Sequence, residues 1–247
     1  MAYDFDVIVI GAGPAGYHAA IRSSQLGLKT AIVEKWLKGS GEPAYGGTCL
    51  NVGCIPSKAL LEASHKYSEA KDEFKDIGIK ISKLVADIPA MMERKNRVVA
   101  DLTSGVAALL KTNKVKQYEG VAKVLGNSEV KITLHNSEKV KLSAENIIIA
   151  TGSVPIDIKP CPLTPNLIVD SSGALEFDSV PKRIGVIGSG IIGLELGSVW
   201  SRLGSEVVLL EALEHLLPVC DSQVSKEAAK EFKKQGMDIR LGARVTG

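Results

Sequence analysis

One order of sequence features occurs twice in this chain, and the duplication limits the fold more than any other feature. In the first copy, an apolar run leads into a glycine-rich turn at 11–16, a helix-like segment and a β-rich run that ends at Glu34. In the second copy, an apolar run leads into a turn at 188–193, another helix and a β-rich run that ends at Glu211. The last glycine and the acid are 18 residues apart in both copies. This order predicts an α/β fold with two Rossmann-like dinucleotide-binding domains.

The glycines of the first turn have separate physical roles. Gly11 permits a tight turn out of the strand, Gly13 lets the backbone approach a pyrophosphate, and Gly16 lets the helix pack closely on the strand. The start of the helix offers free N–H groups and partial positive charge to phosphates. Glu34, at the end of the next strand, can accept hydrogen bonds from both hydroxyls of a ribose. The two copies therefore predict two bound dinucleotides, one for each turn.

Glu211 bears on the choice between NAD and NADP at the second turn. A carboxylate in this position favours a free 2′-hydroxyl and repels a 2′-phosphate, so the second turn is predicted to prefer NAD. Arg202 or Arg240 could reach a phosphate, and this keeps NADP open as an alternative.

A proline-rich stretch that begins at Pro155 marks the predicted boundary between the two domains. We predict one domain over residues 1–150 and a second over residues 151–247. The second domain is expected to be incomplete, because a dinucleotide-binding sheet needs more strands than the second copy supplies.

Further elements are predicted between and after the two copies. Helices are expected over about 55–74, 88–111 and 221–235, and a short strand is expected near 237–241. Alternating apolar residues on both sides of a turn at 136–138 predict a hairpin. The unbroken apolar run 147–150 predicts a buried strand.

Composition removes some classes of function. With 247 residues, the chain can form one large domain or two ordinary ones. The net charge of +2 and the aromatic content of 4% argue against nucleic acid as a partner. No apolar run approaches the ~18 residues of a membrane span, so no membrane partner is expected. A strand-like run begins almost at Met1, so we expect a cytoplasmic protein or one whose leader was removed.

A pair of cysteines five positions apart carries the strongest chemical signal. Cys49 and Cys54 lie in the segment 46–58, which also contains several glycines, Pro56 and Lys58. If a helix begins here, the two Cα atoms can lie within the ~4.4–6.8 Å that a disulfide requires, and a helix start favours the reactive thiolate. Lys58 follows Cys54 by four residues and so faces the same side of the helix. We interpret the pair as redox-active, and no metal site is predicted because no nearby Cys or His completes a tetrahedral set.

Together these motifs resemble one known family, the pyridine nucleotide–disulfide oxidoreductases. The resemblance rests on 46–58, both glycine turns, Ala150-Thr151-Gly152 and 191–198, and it covers essentially the whole chain. Ser57, where glutathione reductases usually carry a lysine, makes the chain more similar to the dihydrolipoamide dehydrogenases. The resemblance implies FAD at the first turn and NAD at the second. It also implies that the partners are the lipoyl domains of 2-oxoacid dehydrogenase complexes and that the full-length protein is a homodimer.

The resemblance also implies a role for each site residue. Cys49 would be the interchange thiol, Cys54 the thiol beside the flavin, and Lys58 would pair with Glu195 near the flavin. Reduced lipoyl groups would exchange with a Cys49–Cys54 disulfide, and electrons would pass from Cys54 to FAD and then as hydride to NAD⁺. The residues expected to bind FAD are Gly11, Gly13, Pro14, Ala15, Gly16, Glu34, Lys35, Gly46, Gly47, Thr48, Cys49, Lys58, Ala122, Thr151, Gly152 and Ser153. The residues expected to bind NAD are Gly188, Ser189, Gly190, Ile191, Ile192, Gly193, Glu195, Glu211 and Val245.

Two points depart from the family pattern. In the family, a His–Glu pair from a C-terminal interface domain of the partner subunit acts as acid and base for the interchange thiol. No match to it is found among His18, His65, His135 and His215. We therefore expect this chain alone to be nearly inactive with dihydrolipoamide, since such acid–base help contributes about 10²–10⁴-fold. The loop between Trp36 and Tyr45 is longer than in many relatives, and we interpret it as a surface insertion.

Two other functions stay open. Mercuric reductase, or another flavin-dependent disulfide reductase, would share the glycine and cysteine motifs while acting on a different substrate. A non-catalytic fragment that binds a cofactor, or that only associates with a larger complex, would share them as well.

Overall fold

The structure is a computed structural model that describes residues 3–246. Its strands are β1 (Phe5–Ile10), β2 (Thr30–Glu34), β3 (Lys116–Gly126), β4 (Glu129–Leu134), β5 (Lys139–Ile149), β6 (Arg183–Ile187), β7 (Glu206–Leu210) and β8 (Asp238–Arg240). Its α-helices are α1 (Pro14–Gln25), α2 (Gly47–Val52), α3 (Cys54–Asp72), α4 (Ile88–Thr112), α5 (Ile191–Leu203) and α6 (Ser222–Lys234). Short 3₁₀ turns span Phe74–Ile77 and Gly173–Leu175.

The chain divides into two compact units. The first contains residues 1–55 and 97–154, and the second contains residues 56–96 and 155–247. The sequence-based boundary between residues 1–150 and 151–247 stays a prediction.

Pairing among β1 to β5 in the first unit closes into a ring. β1 pairs in parallel with β2 and with β5, and β2 pairs in parallel with the start of β3. The later part of β3 and the first part of β5 pair antiparallel with β4. Because β1 and β2 are parallel, their carboxyl ends meet at one sheet edge, and this edge holds the first glycine turn and Glu34.

Burial on both faces explains why β1 and β2 are mostly apolar. Successive side chains of a strand point to opposite faces. On one face, Val7, Val9 and Ile32 pack with residues of α1 and α4. On the other face, Ile8 and Val33 pack with residues of the antiparallel layer. β1, which leads into the first glycine turn, is thus held between two layers of core.

The second unit contains a parallel sheet of order β6-β7-β8. β7 lies in the middle, and β6 has a strand neighbour on one side among the described residues. One core cluster joins α5 to the sheet and to Leu216 and Met237. A second cluster joins the other side of α5, centred on the buried Trp200, to the start of α4 and part of α3. The carboxyl ends of β6 and β7 hold the second glycine turn and Glu211.

Most predicted elements are present, and one prediction about burial is wrong. The strand–turn–helix–strand order recurs as predicted, and the hairpin forms between β4 and β5. The strand at 147–149 is also present, but Ile149 is 68% exposed. This part of β5 pairs with β1 alone, because β4 pairs only with its first half. Sequence reasoning missed β3 entirely.

Candidate functional site

The first glycine turn is closed tightly by its own backbone and by β5. Gly11 has φ +101°, and its N–H donates to the carbonyl of Val33 at 2.8 Å. A Cβ at Gly11 would lie 2.3 Å from the carbonyl oxygen of Ala150, and one at Gly16 would lie 1.8 Å from that of Gly11. Side chains larger than hydrogen therefore do not fit at these two positions.

Glu34 is held against this turn. It is 7% exposed, and its Oε2 accepts the N–H of Ala12 at 2.7 Å. Its Oε1 accepts the N–H of Trp36 at 2.9 Å. Since a carboxylate offers about four acceptor positions, these two bonds leave about two for a ligand.

The second turn repeats this plan. Gly188 has φ +99°, and its N–H donates to the carbonyl of Leu210 at 2.8 Å. A Cβ at Gly193 would lie 2.3 Å from the carbonyl oxygen of Gly188. The N-caps of the helices that follow the turns, α1 and α5, are Gly13 and Gly190, so no cap side chain bonds to the first N–H groups of either helix. Uncapped helix starts behind glycine turns suit phosphate groups, so the residues present fit a dinucleotide at each turn.

Glu211 is the counterpart of Glu34 and accepts more hydrogen bonds. Its Oε2 accepts the Ser189 N–H at 2.8 Å and the Ser189 hydroxyl at 2.7 Å, and its Oε1 accepts the N–H of Leu213 at 2.9 Å. Burial pushes the pKa of Glu211 upward, but the hydrogen bonds from Ser189, Leu213 and Ala212 outweigh it and leave the pKa below its ordinary value. Glu211 is therefore a buried, ionised carboxylate.

The cysteine motif splits into two helices at Gly53. Cys49 lies half-buried within α2, and Cys54 is the exposed first residue of α3. A Cβ at Gly53 would lie 2.9 Å from the Thr48 carbonyl oxygen and 3.3 Å from the Cys49 Cα. This close backbone approach brings the two cysteines near each other.

The cysteine motif also packs directly on the first glycine turn. The Gly46 N–H donates to the Ala12 carbonyl at 2.8 Å, and a Cβ at Gly47 would lie 2.7 Å from the Gly13 Cα. The Asn51 amide donates to the carbonyls of Ala44, Tyr45 and Gly47, and thereby fixes the start of α2.

The structure brings Lys58 and Glu195 together. The Lys58 ammonium forms an ion pair with Glu195 Oε1, and the Ser57 hydroxyl donates to Glu195 Oε2 at 3.0 Å. Glu195 lies in the first turns of α5, directly after the second glycine turn. Both carboxylate oxygens of Glu195 are therefore engaged by the start of α3.

The remaining predicted site residues lie at the same sheet edges or in β3. Lys35 is exposed after β2, and Thr151, Gly152 and Ser153 are exposed after β5. Pro14, Ala15, Ile191 and Ile192 lie exposed in the first turns of α1 and α5. Ala122 packs on the core cluster that includes residues of β4. Val245 is half-buried. It lies two residues after Ala243, whose N–H donates to the Glu211 carbonyl. The binding roles of these residues stay predictions.

Sequence reasoning missed three contacts at the site. Tyr17 of α1 packs in the same cluster as Cys49, and burial raises the pKa of the Tyr17 phenol, with a further contribution from the Cys49 charge. Ser57 bonds to Glu195, and the Ser189 hydroxyl bonds to Glu211. A serine directly after the first glycine of the turn is a visible signal, but its partner lies 22 residues away.

The expected surface loop at 36–45 has an exposed tip at 39–42 and is tied to α4 by a hydrogen bond from Lys38 to Thr103.

This chain belongs to the pyridine nucleotide-disulphide oxidoreductase family, whose sequence pattern it matches over residues 5–247. Members of the family use FAD and a pyridine nucleotide. The family is thus the one that the glycine turns and the cysteine pair predicted.

The relatives it resembles include dihydrolipoyl dehydrogenases from plants and bacteria. It is 47% identical to dihydrolipoyl dehydrogenase 2, mitochondrial, of Arabidopsis thaliana, over 99% of this chain and 47% of that protein. It is 48% identical to dihydrolipoyl dehydrogenase 3 of Pseudomonas aeruginosa, over 99% of this chain and 51% of that protein. The chain therefore spans about half the length of the curated relatives it matches.

A solved structure supports the same grouping. The HOCl-induced flavoprotein disulfide reductase RclA from Escherichia coli superimposes with a TM-score of 0.77 at 29% sequence identity. The match covers 97% of this chain and 49% of that protein. Within residues 3–246, no helix is long and apolar enough to cross a membrane.

Proposed function

We propose that this chain carries the FAD- and NAD-binding parts of a dihydrolipoyl dehydrogenase, the component that reoxidises dihydrolipoyl groups in 2-oxoacid dehydrogenase complexes. The observation that carries the proposal is the packing of the cysteine motif on the first glycine turn. The Gly46–Ala12 hydrogen bond at 2.8 Å fixes the cysteine helix beside the place where a phosphate chain would bind. A disulfide and a flavin can exchange electrons only when they are held next to each other, and this packing supports such an arrangement for FAD bound at the first turn.

In the proposed reaction, the cysteine pair accepts two electrons from a dithiol. A dihydrolipoyl thiolate attacks Cys49 of the Cys49–Cys54 disulfide, which forms a mixed disulfide and releases the Cys54 thiolate. The second lipoyl thiol then loses its proton and displaces Cys49, so the lipoyl group leaves as its disulfide, the two cysteines are left as thiolates and the two protons of the dithiol go to solvent. FAD, when bound, would accept this electron pair from Cys54 as the Cys49–Cys54 disulfide re-forms, and would pass it on to NAD⁺ as hydride.

Other residues of the chain bind and orient the reactants. Under this proposal Glu34 holds the ribose of FAD, Glu211 holds the ribose of NAD, and the two helix starts hold the pyrophosphates. The Lys58–Glu195 pair places a cation on the same helix as Cys54, one turn later, where it can stabilise negative charge near the reacting sulfur. The two cofactor domains proposed are residues 1–150 and 151–247. A cytoplasmic location, a homodimer and lipoyl-domain partners are part of the same proposal.

An anaerobic titration of the FAD-loaded protein tests the proposal. One equivalent of dihydrolipoamide should produce a long-wavelength absorbance shoulder, because a reduced Cys54 thiolate would lie against oxidised flavin. Cys54→Ser should abolish the shoulder, and Cys49→Ser should block reduction by the dithiol. Cys161→Ser and Cys220→Ser are matched controls outside the motif and should behave as the parent protein. A protein that takes up no flavin, or whose shoulder survives Cys54→Ser, contradicts the proposal.

Another flavin-dependent disulfide reductase is the second candidate. It is favoured by the similarity to a disulfide reductase at a TM-score of 0.77. The same titration separates the two, because a reductase of another substrate would show the shoulder with NADH and would fail to oxidise dihydrolipoamide. A non-catalytic fragment would show neither response.

A further inference from the structure

The two turns differ by one hydroxyl at equivalent positions. Ala12 and Ser189 each follow the first glycine of their turn, and the N–H of each donates to Oε2 of the acid, at 2.7 Å in the first turn and 2.8 Å in the second. Ser189 adds its hydroxyl to the same oxygen at 2.7 Å. The backbone donor is shared, and the hydroxyl is a donor that the second acid has and the first lacks.

This hydroxyl changes how many hydrogen bonds each acid can offer a ligand. Glu34 accepts two protein donors, from Ala12 and Trp36, and keeps about two of its four acceptor positions. Glu211 accepts at least three, two from Ser189 and one from Leu213, and keeps at most one. A ribose presents two hydroxyl donors, so the first acid can accept both and the second cannot.

Ser189 acts through Glu211 and not on the ligand itself. Its exposed fraction is 0%, whereas Glu211 is 8% exposed at the edge of the sheet. Charged neighbours do not account for the ionisation of Glu211, since its pKa is set by burial and by hydrogen bonds from Ser189, Leu213 and Ala212. The guanidinium of Arg240 is directed to Asp238, at 2.7 and 2.9 Å.

We infer that the Ser189 hydroxyl occupies an acceptor position of Glu211 that a ribose hydroxyl would otherwise use, and that it thereby weakens the second dinucleotide site. Ser189 is then a positioning residue that sets affinity. This inference rests on the proposed NAD site.

Calorimetric titration of the FAD-loaded protein with ADP-ribose tests the inference. ADP-ribose carries the adenosine ribose and the pyrophosphate but no nicotinamide, so it binds without reducing the flavin. Ser189→Ala should bind ADP-ribose about three- to tenfold more tightly, because the freed position of Glu211 gains one hydrogen bond to the ribose. Ser189→Cys, whose thiol is a weak donor, should lie between the parent and Ser189→Ala.

Two controls make the result specific. Ser205→Ala removes another buried hydroxyl of the same unit, one that donates to the Pro181 carbonyl at 2.6 Å, and should leave the affinity unchanged. An ADP-ribose analogue whose adenosine ribose lacks both hydroxyls should bind the parent and Ser189→Ala equally.

Two different results would contradict the inference about Ser189 and the proposed NAD site. Weaker or unchanged binding of ADP-ribose to Ser189→Ala would overturn the inference and leave the NAD site standing. A parent protein that fails to bind ADP-ribose would overturn both.

Discussion

The two glycine turns of this chain share a backbone plan but differ in what surrounds them. In each, the N–H of the first glycine donates to the end of the second strand, at 2.8 Å in both cases. A Cβ at Gly11 would lie 2.3 Å from the Ala150 carbonyl oxygen, whereas a Cβ at Gly188 would meet nothing within 4 Å among the described residues. Gly11 is enclosed because β5 pairs with β1 on the side away from β2. The motif therefore sets the turn, and the neighbouring strand decides how tightly it is packed.

The acids at the two turns differ in a second way. Glu34 takes two protein hydrogen bonds and Glu211 takes at least three, and the Ser189 hydroxyl supplies one that Glu34 lacks. The two turns thus differ in packing at their first glycine and in hydrogen bonding at their acid. Separate substitutions can test each of these differences.

The largest expected difference is between Gly11→Ala and Gly188→Ala. Both substitutions force a side chain into a backbone with φ near +100°, which costs about 1–3 kcal/mol. Gly11→Ala adds a clash with the Ala150 carbonyl, so we expect it to cost about 2 kcal/mol more in the free energy of unfolding. Urea unfolding followed by circular dichroism measures both. Equal costs would show that Gly188 is packed as tightly as Gly11 and would remove the asymmetry.

Gly16→Ala and Gly193→Ala should instead behave alike. A Cβ at either position would lie within 2.3 Å of the carbonyl oxygen of the first glycine in its own turn. We expect each to cost about 2–3 kcal/mol and to weaken dinucleotide binding at its own turn, because the helix start must move. Gly105→Ala is the matched control, since a Cβ there in α4 meets nothing within 4 Å and should stabilise the helix by ~0.5–1 kcal/mol. A small cost at only one of the two turns would contradict the shared plan.

Both turns could be predicted from the sequence because their signals are local. Gly11, Gly16 and Glu34 follow one another at fixed spacing, and β6 and β7 begin and end where the apolar runs do. β3 was missed because Glu119 and Lys123 interrupt its apolar pattern and because its two halves pair with different strands.

The contacts that were missed at the site depend on distant residues. Ser57 lies 138 positions from Glu195, and Ser189 lies 22 from Glu211, so only the packed helices and the strand register bring them together. The exposure of Ile149 depends in the same way on where β4 stops pairing with β5.

Glu211→Gln tests the ionisation at the second turn. Because the folded-state pKa of Glu211 is lowered from 4.5, its charge stabilises the protein above about pH 4.5, and this contribution is lost as the pH falls through the lowered value. The variant should lose on the order of 1 kcal/mol at pH 7 and show a flatter dependence of stability on pH below 4.5. Thermal unfolding from pH 3 to 7 measures this. Parallel curves for parent and variant would contradict an ionised, hydrogen-bonded Glu211.

Ala12→Ser is expected to have the smallest effect. It adds to the first turn the hydroxyl that Ser189 provides in the second. The Ala12 N–H already lies 2.7 Å from Glu34 Oε2, so a serine here can direct its hydroxyl to that oxygen as Ser189 does to Glu211. Glu34 would then keep about one acceptor position for the ribose in place of two. We expect FAD to bind about three- to tenfold more weakly, with a change in stability within about 1 kcal/mol.

Reconstitution of the apoprotein with FAD, followed by flavin fluorescence, measures the effect of Ala12→Ser. Ala20→Ser places a hydroxyl at another fully buried alanine of the first unit, in α1, and controls for burial of the added polar group. If the affinity falls with Ala12→Ser and holds with Ala20→Ser, the count of free acceptor positions on the acid decides how firmly each turn keeps its dinucleotide. If Ala12→Ser leaves FAD binding unchanged, the hydroxyl of Ser189 cannot explain a difference between the two turns, and the difference must come from the packing around Gly11.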